Sequence, residues 1–180
     1  MSLTLVETAG SATANTYCTL AEALAYGETV FPATEAEPFA EAAPDDQKRA
    51  LLAATVALDQ LRARLAGLRA TSTQALEYPR SGILKPDRST YYDTTEIPAS
   101  VKQAEARLAM YLVKQGKANA LDGGFTTTPG LTSISLGSEL SMSFDGVESG
   151  VSDSQRFLAS VIFPILGNLV RAGQPRLVRG

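Results

Sequence analysis

Hydrophobic residues recur every three or four positions along a segment near the middle of the chain, the spacing that places side chains on one face of an α-helix. This repeat has five members: Ala50, Ala54, Leu58, Leu61 and Leu65. A proline and two aspartates precede it and Gly67 follows it, which is typical of helix boundaries. We predict a long helix over residues 44–67.

A second repeat of the same period predicts another long helix over residues 98–115. Its buried stripe consists of Val101, Ala104, Leu108, Tyr111 and Leu112. A shorter helix over residues 19–26 is predicted because Thr19 and Glu22 have the spacing of a capping box, with Gly27 as its end. The intervening stretch 31–43, rich in Ala, Glu and Pro, is expected to be a loop.

Downstream, the hydrophobic period changes from helical to alternating. Residues 131–136 and 140–144 alternate apolar and polar side chains on either side of Gly137-Ser138, which predicts a β-hairpin within a Gly- and Thr-rich region, 121–150. A final helix with a basic tail is expected over residues 151–180, kinked or broken near Pro164.

Together these patterns predict a mainly α protein: a small helical bundle with a minor β-hairpin element, a long extended loop and a C-terminal helical arm. The loop spans residues 71–95, where turn-forming residues replace any regular period. The expected organisation is a helical core over residues 1–120, the loop and hairpin over 121–150, and the arm over 151–180.

Composition is that of a globular chain, with 180 residues of which 44% are hydrophobic and 19% charged. Cys18, the one cysteine, excludes an intramolecular disulfide and is expected to be a small buried apolar residue. Neither a signal peptide nor an apolar run of membrane-spanning length is present, because the longest apolar stretch, 157–170, is short and interrupted. We expect a soluble protein, made in a cytoplasm, with no membrane partner.

The chain has no histidine. Histidine is the commonest general base and a usual zinc ligand, and the sequence also lacks nucleophile-elbow and phosphate-loop motifs. Its carboxylate clusters, Asp45-Asp46 and Asp145/Glu148/Asp153, match no calcium-loop spacing. We therefore expect no enzymatic activity, no cofactor and no metal site.

The formal net charge of −3 is unevenly distributed. Residues 28–46 contain six carboxylates and no Lys or Arg, whereas the last ten residues carry Arg171, Arg176 and Arg179 and no acid. Two interpretations remain open. In the first, residues 28–46 form a solvated acidic loop and the last ten residues a basic tail. In the second, these two segments contact oppositely charged neighbours in an assembly or on a partner.

Basic and aromatic residues are interleaved in the middle of the chain: Arg62, Arg64, Arg69, Arg80, Lys85 and Arg88 with Tyr78, Tyr91 and Tyr92. Such a combination can hold a nucleic-acid single strand by charge and base stacking. Alternatively, the arginines complement a helix C-terminus and the tyrosines pack the long loop. The acidic overall charge favours the structural interpretation.

The segment 69–82, Arg-Ala-Thr-Ser-Thr-Gln-Ala-Leu-Glu-Tyr-Pro-Arg-Ser-Gly, resembles a signature of small phage proteins labelled DnaT-like, which are similar to head-to-tail connector (adaptor) proteins. The Ile97-Pro98 helix start and the N-terminal blocks around 6–8, 14–17 and 20–23 strengthen the resemblance, which covers roughly residues 3–116. This family commonly has Trp where Tyr78 stands.

The resemblance implies a structural virion protein at the phage neck, assembled in the host cytoplasm. It would form a ring of about twelve copies under the portal, as heterologous contacts allow, and would extend the channel for DNA packaging and ejection. Its expected partners are the portal, the next neck or tail protein (a stopper, tail terminator or tail tube), and double-stranded DNA that passes without specific binding. The DnaT-like label implies instead a primosomal replication protein that binds single-stranded DNA.

Two sets of residues receive roles from this reasoning. The portal-binding candidates lie in the C-terminal helix and tail: Phe157, Val161, Ile162, Phe163, Ile165, Leu166, Arg171, Arg176 and Arg179. The motif loop is expected to be structural and to hold the long connection against the helices; it comprises Thr71, Ser72, Thr73, Gln74, Tyr78, Pro79, Arg80, Ser81 and Gly82.

Overall fold

Four α-helices form the centre of the fold in the computed structural model, which describes residues 3–116, 133–136, 140–143 and 157–171. The helices are α1 (Leu20–Thr29), α2 (Ala33–Glu41), α3 (Pro44–Gln60) and α4 (Ala99–Lys114). Short antiparallel strand pairs and a C-terminal helical segment complete it. The predicted mainly α fold is confirmed.

Helix α1 begins with the predicted capping box. The Thr19 hydroxyl accepts the Glu22 amide at 3.0 Å, and the Glu22 carboxylate accepts the Thr19 amide at 2.8 Å. The predicted end at Gly27 is wrong, since α1 runs on to Thr29. A Cβ on Gly27 would lie 3.0 Å from Met110 Cε and 3.1 Å from Ala36 Cβ, so this glycine lets α1 approach α2 and α4 closely.

Helix α2 lies where a loop was expected. Its sequence carries a proline, Pro38, inside the helix and buries a single large side chain, Phe39, so the helical period is weak. Tertiary contacts stabilise it instead. Gln47 donates from Nε2 to the Phe39 carbonyl at 2.8 Å, and Arg107 of α4 pairs with Glu35 at 2.9 Å. The sequence pattern within residues 33–41 could not reveal either contact, because Gln47 and Arg107 lie on other helices.

Helices α3 and α4 pack against each other through the predicted stripes. Helix α3 ends at Gln60, earlier than the predicted residue 67, and a 3₁₀ turn over Leu61–Ala63 follows. Between these helices the carboxylate of Glu105 is fully buried. It accepts the Thr16 hydroxyl at 2.7 Å, the Thr55 hydroxyl at 2.5 Å and the Tyr17 amide at 3.0 Å, so the core contains a satisfied acid rather than an unpaired one.

The connection between α3 and α4 is largely irregular, but it contains a short antiparallel pair. Strand β1 (Leu68–Arg69) pairs with β2 (Arg80–Ser81), and an isolated bridge joins Leu84 to Tyr91. Further along the chain, β3 (Ser133–Leu136) pairs antiparallel with β4 (Leu140–Ser143), which confirms the predicted hairpin. The remainder of the region 121–150 lies outside the described residues.

The C-terminal segment is a chain of short turns rather than one helix. A π-helical stretch, Leu158–Ile162, leads into α5 (Phe163–Leu166) and a 3₁₀ turn, Gly167–Leu169. The predicted break near Pro164 is present, because proline cannot supply the amide that a continuous α-helix needs.

This segment packs on the body of the protein. Phe157 stacks on Tyr111 of α4 with ring centroids 4.0 Å apart, and the Ala66 amide donates to the Leu169 carbonyl at 2.7 Å. Ile162 and Leu169 are completely buried. The expectation of a projecting arm is therefore wrong for residues 157–171, since their apolar face forms part of the main core. The tail 172–180 lies outside the described residues.

Candidate functional site

A cleft of about 920 Å³ opens between three parts of the fold. One wall is the hairpin of residues 83–92, the second is the amino end of α4, and the third is the turn 164–168 of the C-terminal segment. We call it the tyrosine cleft. Its lining residues are Ala66, Gly82, Ile83, Leu84, Lys85, Pro86, Arg88, Tyr91, Tyr92, Glu96, Ala99, Ser100, Pro164, Ile165, Leu166, Gly167 and Asn168.

The 83–92 hairpin is held by backbone hydrogen bonds rather than by long strands. The Lys85 amide donates to the Thr90 carbonyl at 2.8 Å, and the Tyr92 amide donates to the Ile83 carbonyl at 2.9 Å. At the tip, the Arg88 amide donates to the Lys85 carbonyl at 2.9 Å. Arg88 has φ of +56°, a left-handed conformation that is uncommon away from glycine. The hairpin thus presents its side chains from a defined turn.

Hydrogen bonds also fix the acid at the tip. The Asp87 carboxylate accepts the Ser89 amide at 3.0 Å and the Ser89 hydroxyl at 2.6 Å. These bonds favour the ionised form and lower the pKa of Asp87 below its ordinary value. This carboxylate therefore closes the turn and is not among the groups that line the cleft.

Two tyrosines face the cleft. Tyr91 leaves 64% of its surface exposed, an unusual value for a large aromatic side chain. Tyr92 is half-buried, and the ammonium of Lys85 lies 5.9 Å from the centre of its ring. By contrast Tyr78 is buried, with its ring edge-on to Tyr17 at 6.0 Å. The interpretation that the tyrosines pack the long loop holds for Tyr78 and is wrong for Tyr91.

Two cations and one carboxylate line the cleft with these rings. Lys85 and Arg88 line the hairpin side, facing one carboxylate, Glu96. Two further cations, Arg64 and the exposed Arg171, lie outside the cleft lining and are adjacent to each other, because the Arg171 amide donates to the Arg64 carbonyl at 2.7 Å. The guanidinium of Arg64 lies 5.7 Å from the centre of the Phe163 ring.

The amino end of α4 adds a partial positive charge to the same cleft. Its N-cap is Pro98, and no side chain caps the helix. The first amides of a helix have no intrahelical acceptor, so those of Ala99 and Ser100, which line the cleft, suit an anionic ligand. Sequence reasoning did not assign this wall or the 164–168 turn, because neither carries a motif and both meet the hairpin only in the folded chain.

The motif loop contributes Gly82 to the cleft lining, and its other residues are tied into the fold. Arg80 is buried and donates from Nε to the Ala66 carbonyl at 2.7 Å, from Nη2 to the Gly67 carbonyl at 2.9 Å, and from Nη1 to Glu77 at 2.6 Å. Gln74 accepts the Thr71 amide at 2.9 Å and donates to the Pro79 carbonyl at 3.0 Å. These two side chains therefore have their polar atoms occupied by protein groups.

The other motif residues divide by exposure. Thr71, Ser72, Thr73 and Gly82 are exposed, Ser81 is half-buried, and Tyr78 and Pro79 are buried. The Tyr78–Pro79 peptide bond is cis.

A buried hydrogen-bond cluster anchors this loop to α3. The Tyr17 hydroxyl donates to the Asp59 carboxylate and accepts the Glu77 amide at 3.1 Å. Burial raises the pKa of Asp59 to about 7, although hydrogen bonds from Tyr17 and Glu77 oppose that shift. Burial likewise raises the pKa of Tyr78. The Tyr17 hydroxyl and the Asp59 carboxylate therefore link the N-terminal segment, α3 and the motif loop.

The residues predicted to dock on a portal differ in their exposure. Phe157, Ile162 and Leu166 are buried against the chain itself, and Val161, Phe163 and Ile165 are half-buried at the edge of the same core. Arg171 is exposed. Arg176 and Arg179 lie outside the described residues.

Metal sites and membrane-spanning helices are both absent from the described ranges. Within them, no group of three acidic or cysteine side chains could hold a metal ion. None of the helices described there combines the length and the apolar composition needed to cross a membrane.

The chain matches a family model over residues 1–179. That family is described as "Putative DnaT-like ssDNA binding protein". No curated protein and no solved structure matches the chain.

This match corrects the connector interpretation. The family is not one of head-to-tail connectors, and its description agrees with the alternative, single-stranded DNA binding. The portal, the lower neck proteins, the twelve-membered ring and the freely passing duplex are therefore wrong as partners. The neck-assembly role fails with them, because it rested on the same resemblance.

Proposed function

We propose that this chain, which belongs to the family of DnaT-like single-stranded-DNA-binding proteins, binds single-stranded DNA in the tyrosine cleft. The observation that carries the assignment is the exposed ring of Tyr91 beside Lys85 and Arg88 in one cleft. Flat aromatic surface for bases and cations for phosphates are the two requirements of single-strand binding.

Stacking explains why a single strand is preferred over a duplex. In a duplex each base is stacked on its neighbours and paired, so its face is not available to a protein ring. An unpaired base can lie flat on Tyr91, and Tyr92 lies beside it in the hairpin ladder. Every base has a π-face, so this contact is expected to show little sequence preference.

Phosphates have several donors within the same cleft. Lys85 and Arg88 approach from the hairpin, and the amides at the start of α4 approach from the opposite wall. Each phosphate neutralised by a cation releases counterions, so affinity should fall as salt increases.

The net charge of −3 does not exclude this role, because charge is segregated along the chain. Six of the nineteen acids lie in residues 28–46, which contribute nothing to the cleft lining, and Glu96 is the one acid that lines it. A local cationic surface can bind phosphates even where distant acids make the total negative, since screening at physiological salt acts over about 8 Å. The proposed role is binding without catalysis.

The test replaces Tyr91 by Ala and measures binding of a fluorescent oligothymidylate by anisotropy. Loss of one stacked base should weaken binding about ten-fold, since stacking contributes about 1–3 kcal/mol per base. Tyr91→Phe retains the ring and should bind nearly as well as the wild type. Leu68→Ala is a matched control, because Leu68 is 71% exposed and lies outside the cleft lining.

Equal affinities for wild type and Tyr91→Ala would show that the strand does not use this ring. Equal loss in Tyr91→Ala and Tyr91→Phe would indicate that the hydroxyl, rather than stacking, makes the contact. Either result would contradict the proposed mode of binding.

A further inference from the structure

A second depression, of about 210 Å³, lies between α1, α2 and the second half of α4. We call it the acidic groove. Its apolar lining includes Leu24, Ala36, Ala40 and Met110, and its rim carries the carboxylates of Glu28 and Glu37. Close to it, Val30 leaves 51% of its surface exposed at the end of α1. Apolar surface with a charged rim is typical of a site for another molecule.

The rim carboxylates differ from their neighbours in their pairing. Glu22 pairs with Lys102 and Glu35 pairs with Arg107, so these acids are neutralised within the fold. Glu28 and Glu37 are exposed and form no ion pair with any residue in the described ranges. Since residues 28–46 include no Lys or Arg, the local field is negative.

One cation lies near the groove and is already engaged. The guanidinium of Arg107 lies 5.2 Å from the centre of the Phe31 ring while it donates to the Glu35 carboxylate at 2.9 Å. The two rim acids therefore remain available to an incoming cation. Their charge also disfavours phosphates, which separates this surface from a nucleic-acid site.

We propose that the acidic groove docks a positively charged amphipathic segment of a partner protein. Apolar side chains of that segment fill the groove against Leu24 and Ala40, above the buried Met110. Lys or Arg side chains flanking them pair with Glu28 and Glu37. Charge complementarity of this kind selects the partner, while apolar burial supplies most of the affinity. The inference goes beyond DNA binding and does not depend on it.

The groove is also far from the tyrosine cleft along the helix that both share. Eleven residues separate Ala99, in the cleft, from Met110, in the groove, which corresponds to about 16 Å along α4. A partner segment in the groove would thus leave the cleft free for DNA.

The experiment follows the methyl signal of Met110 by NMR in the full chain, using two designed helical peptides as probes. One has leucine on one face and lysine on the other; the second has glutamate in place of each lysine. The lysine peptide should shift the Met110 signal, and the glutamate peptide should not. The double variant Glu28→Gln, Glu37→Gln should bind the lysine peptide about five-fold more weakly, as expected for the loss of two exposed ion pairs. The control, Glu7→Gln, Asp93→Asn, makes the same change in net charge at exposed positions outside both the groove and the cleft, and should bind like the wild type.

Four results would overturn the proposal. The first is a Met110 signal that stays unchanged with both peptides, and the second is equal binding of the lysine peptide by both double variants. The third is that, without peptide, the signal shifts with protein concentration and this dependence disappears in the variant Arg176→Glu, Arg179→Glu. That outcome would assign the groove to a second copy of this chain. Displacement of the lysine peptide by oligothymidylate would instead make the groove part of the DNA site.

Discussion

At the residue scale, environment decides what each tyrosine contributes. Tyr78 is 3% exposed, and its ring packs edge-on against Tyr17, whereas Tyr91 is 64% exposed in the ladder of a short hairpin. The residue type is the same, but Tyr78 stabilises the motif loop and Tyr91 offers a free ring face. Arg80 and Arg88 differ in the same way, because Arg80 is buried and fully bonded while Arg88 is exposed at the cleft.

Asp59 should make the stability of the protein depend on pH. Its pKa of about 7 in the folded chain is raised by burial above the ordinary 3.8, so the folded state retains a proton that the unfolded state releases. Linkage then requires the free energy of unfolding to fall as pH rises between about 4 and 7, and to level off above that range. Chemical denaturation of the wild type across this window measures the effect.

The variant Asp59→Asn isolates this contribution, because it keeps an acceptor for Tyr17 but cannot ionise. Glu105, whose pKa burial also raises, is present in both proteins and cancels in the comparison. The stability of the wild type relative to Asp59→Asn should decrease as pH rises. A difference that is constant over the window would show that Asp59 ionises normally in the folded state.

At the element scale, the connection between α3 and α4 depends on glycines at two turns. Gly67 and Gly82 both have positive φ, +69° and +76°. They differ in their surroundings. A Cβ on Gly67 would collide with the Ser81 carbonyl oxygen and lie 2.7 Å from Ile83 Cγ1, whereas a Cβ on Gly82 would meet nothing within 4 Å.

Gly82→Ala should therefore cost only the strain of a left-handed alanine, about 1 kcal/mol of unfolding free energy. Gly67→Ala should cost a further 1–3 kcal/mol, roughly the penalty for overpacking, because β1 and β2 must separate. Urea unfolding of the two variants makes the comparison, with Gly82→Ala as the control. Equal losses of unfolding free energy in the two variants would mean that β1 and β2 can separate without destabilising the protein.

The C-terminal segment provides a second comparison at this scale. Ile162 is completely buried, and Ile165, three residues later, is half-buried at the cleft. If the segment belongs to the core, Ile162→Ala should destabilise the protein by about 2–5 kcal/mol and Ile165→Ala by about 1 kcal/mol. Thermal and urea unfolding measure both. Small and similar losses of stability in the two variants would indicate that the segment is an arm independent of the core.

The elements that sequence predicted well are those with strong local signals. The stripe of α4, the Thr19–Glu22 capping box and the alternation in β3 and β4 lie at the elements they specify. The other stripe specifies α3 through Ala50, Ala54 and Leu58, and its last two members follow the end of that helix. Helix α2 was missed because its stability comes from Arg107 and Gln47, which lie on other helices. The apolar run 157–170 was expected to dock on a partner, but Phe157, Ile162 and Leu169 are buried within the chain itself, which sequence could not show because Tyr111 of α4 meets Phe157 only in the fold.

At the scale of the whole molecule, charge is segregated between two surfaces. The tyrosine cleft, at the amino end of α4, combines Lys85, Arg88 and helix amides, and the acidic groove lies by the second half of the same helix. The net charge of −3 does not reveal this separation. For that reason the net charge favoured a structural role for the basic and aromatic residues over nucleic-acid binding. The interleaved tyrosines and cations were visible in sequence, but which of them are exposed was not.

The most direct test of DNA binding in the cleft is photocrosslinking of the full chain to oligothymidylate carrying 5-bromouracil, followed by trypsin digestion and mass spectrometry. We expect the adduct on the peptide Ser89–Lys102, which contains Tyr91 and Tyr92, and competition by unlabelled single strands but not by duplex. Absence of any adduct would contradict single-stranded DNA binding. An adduct confined to other peptides would contradict the assignment of the cleft.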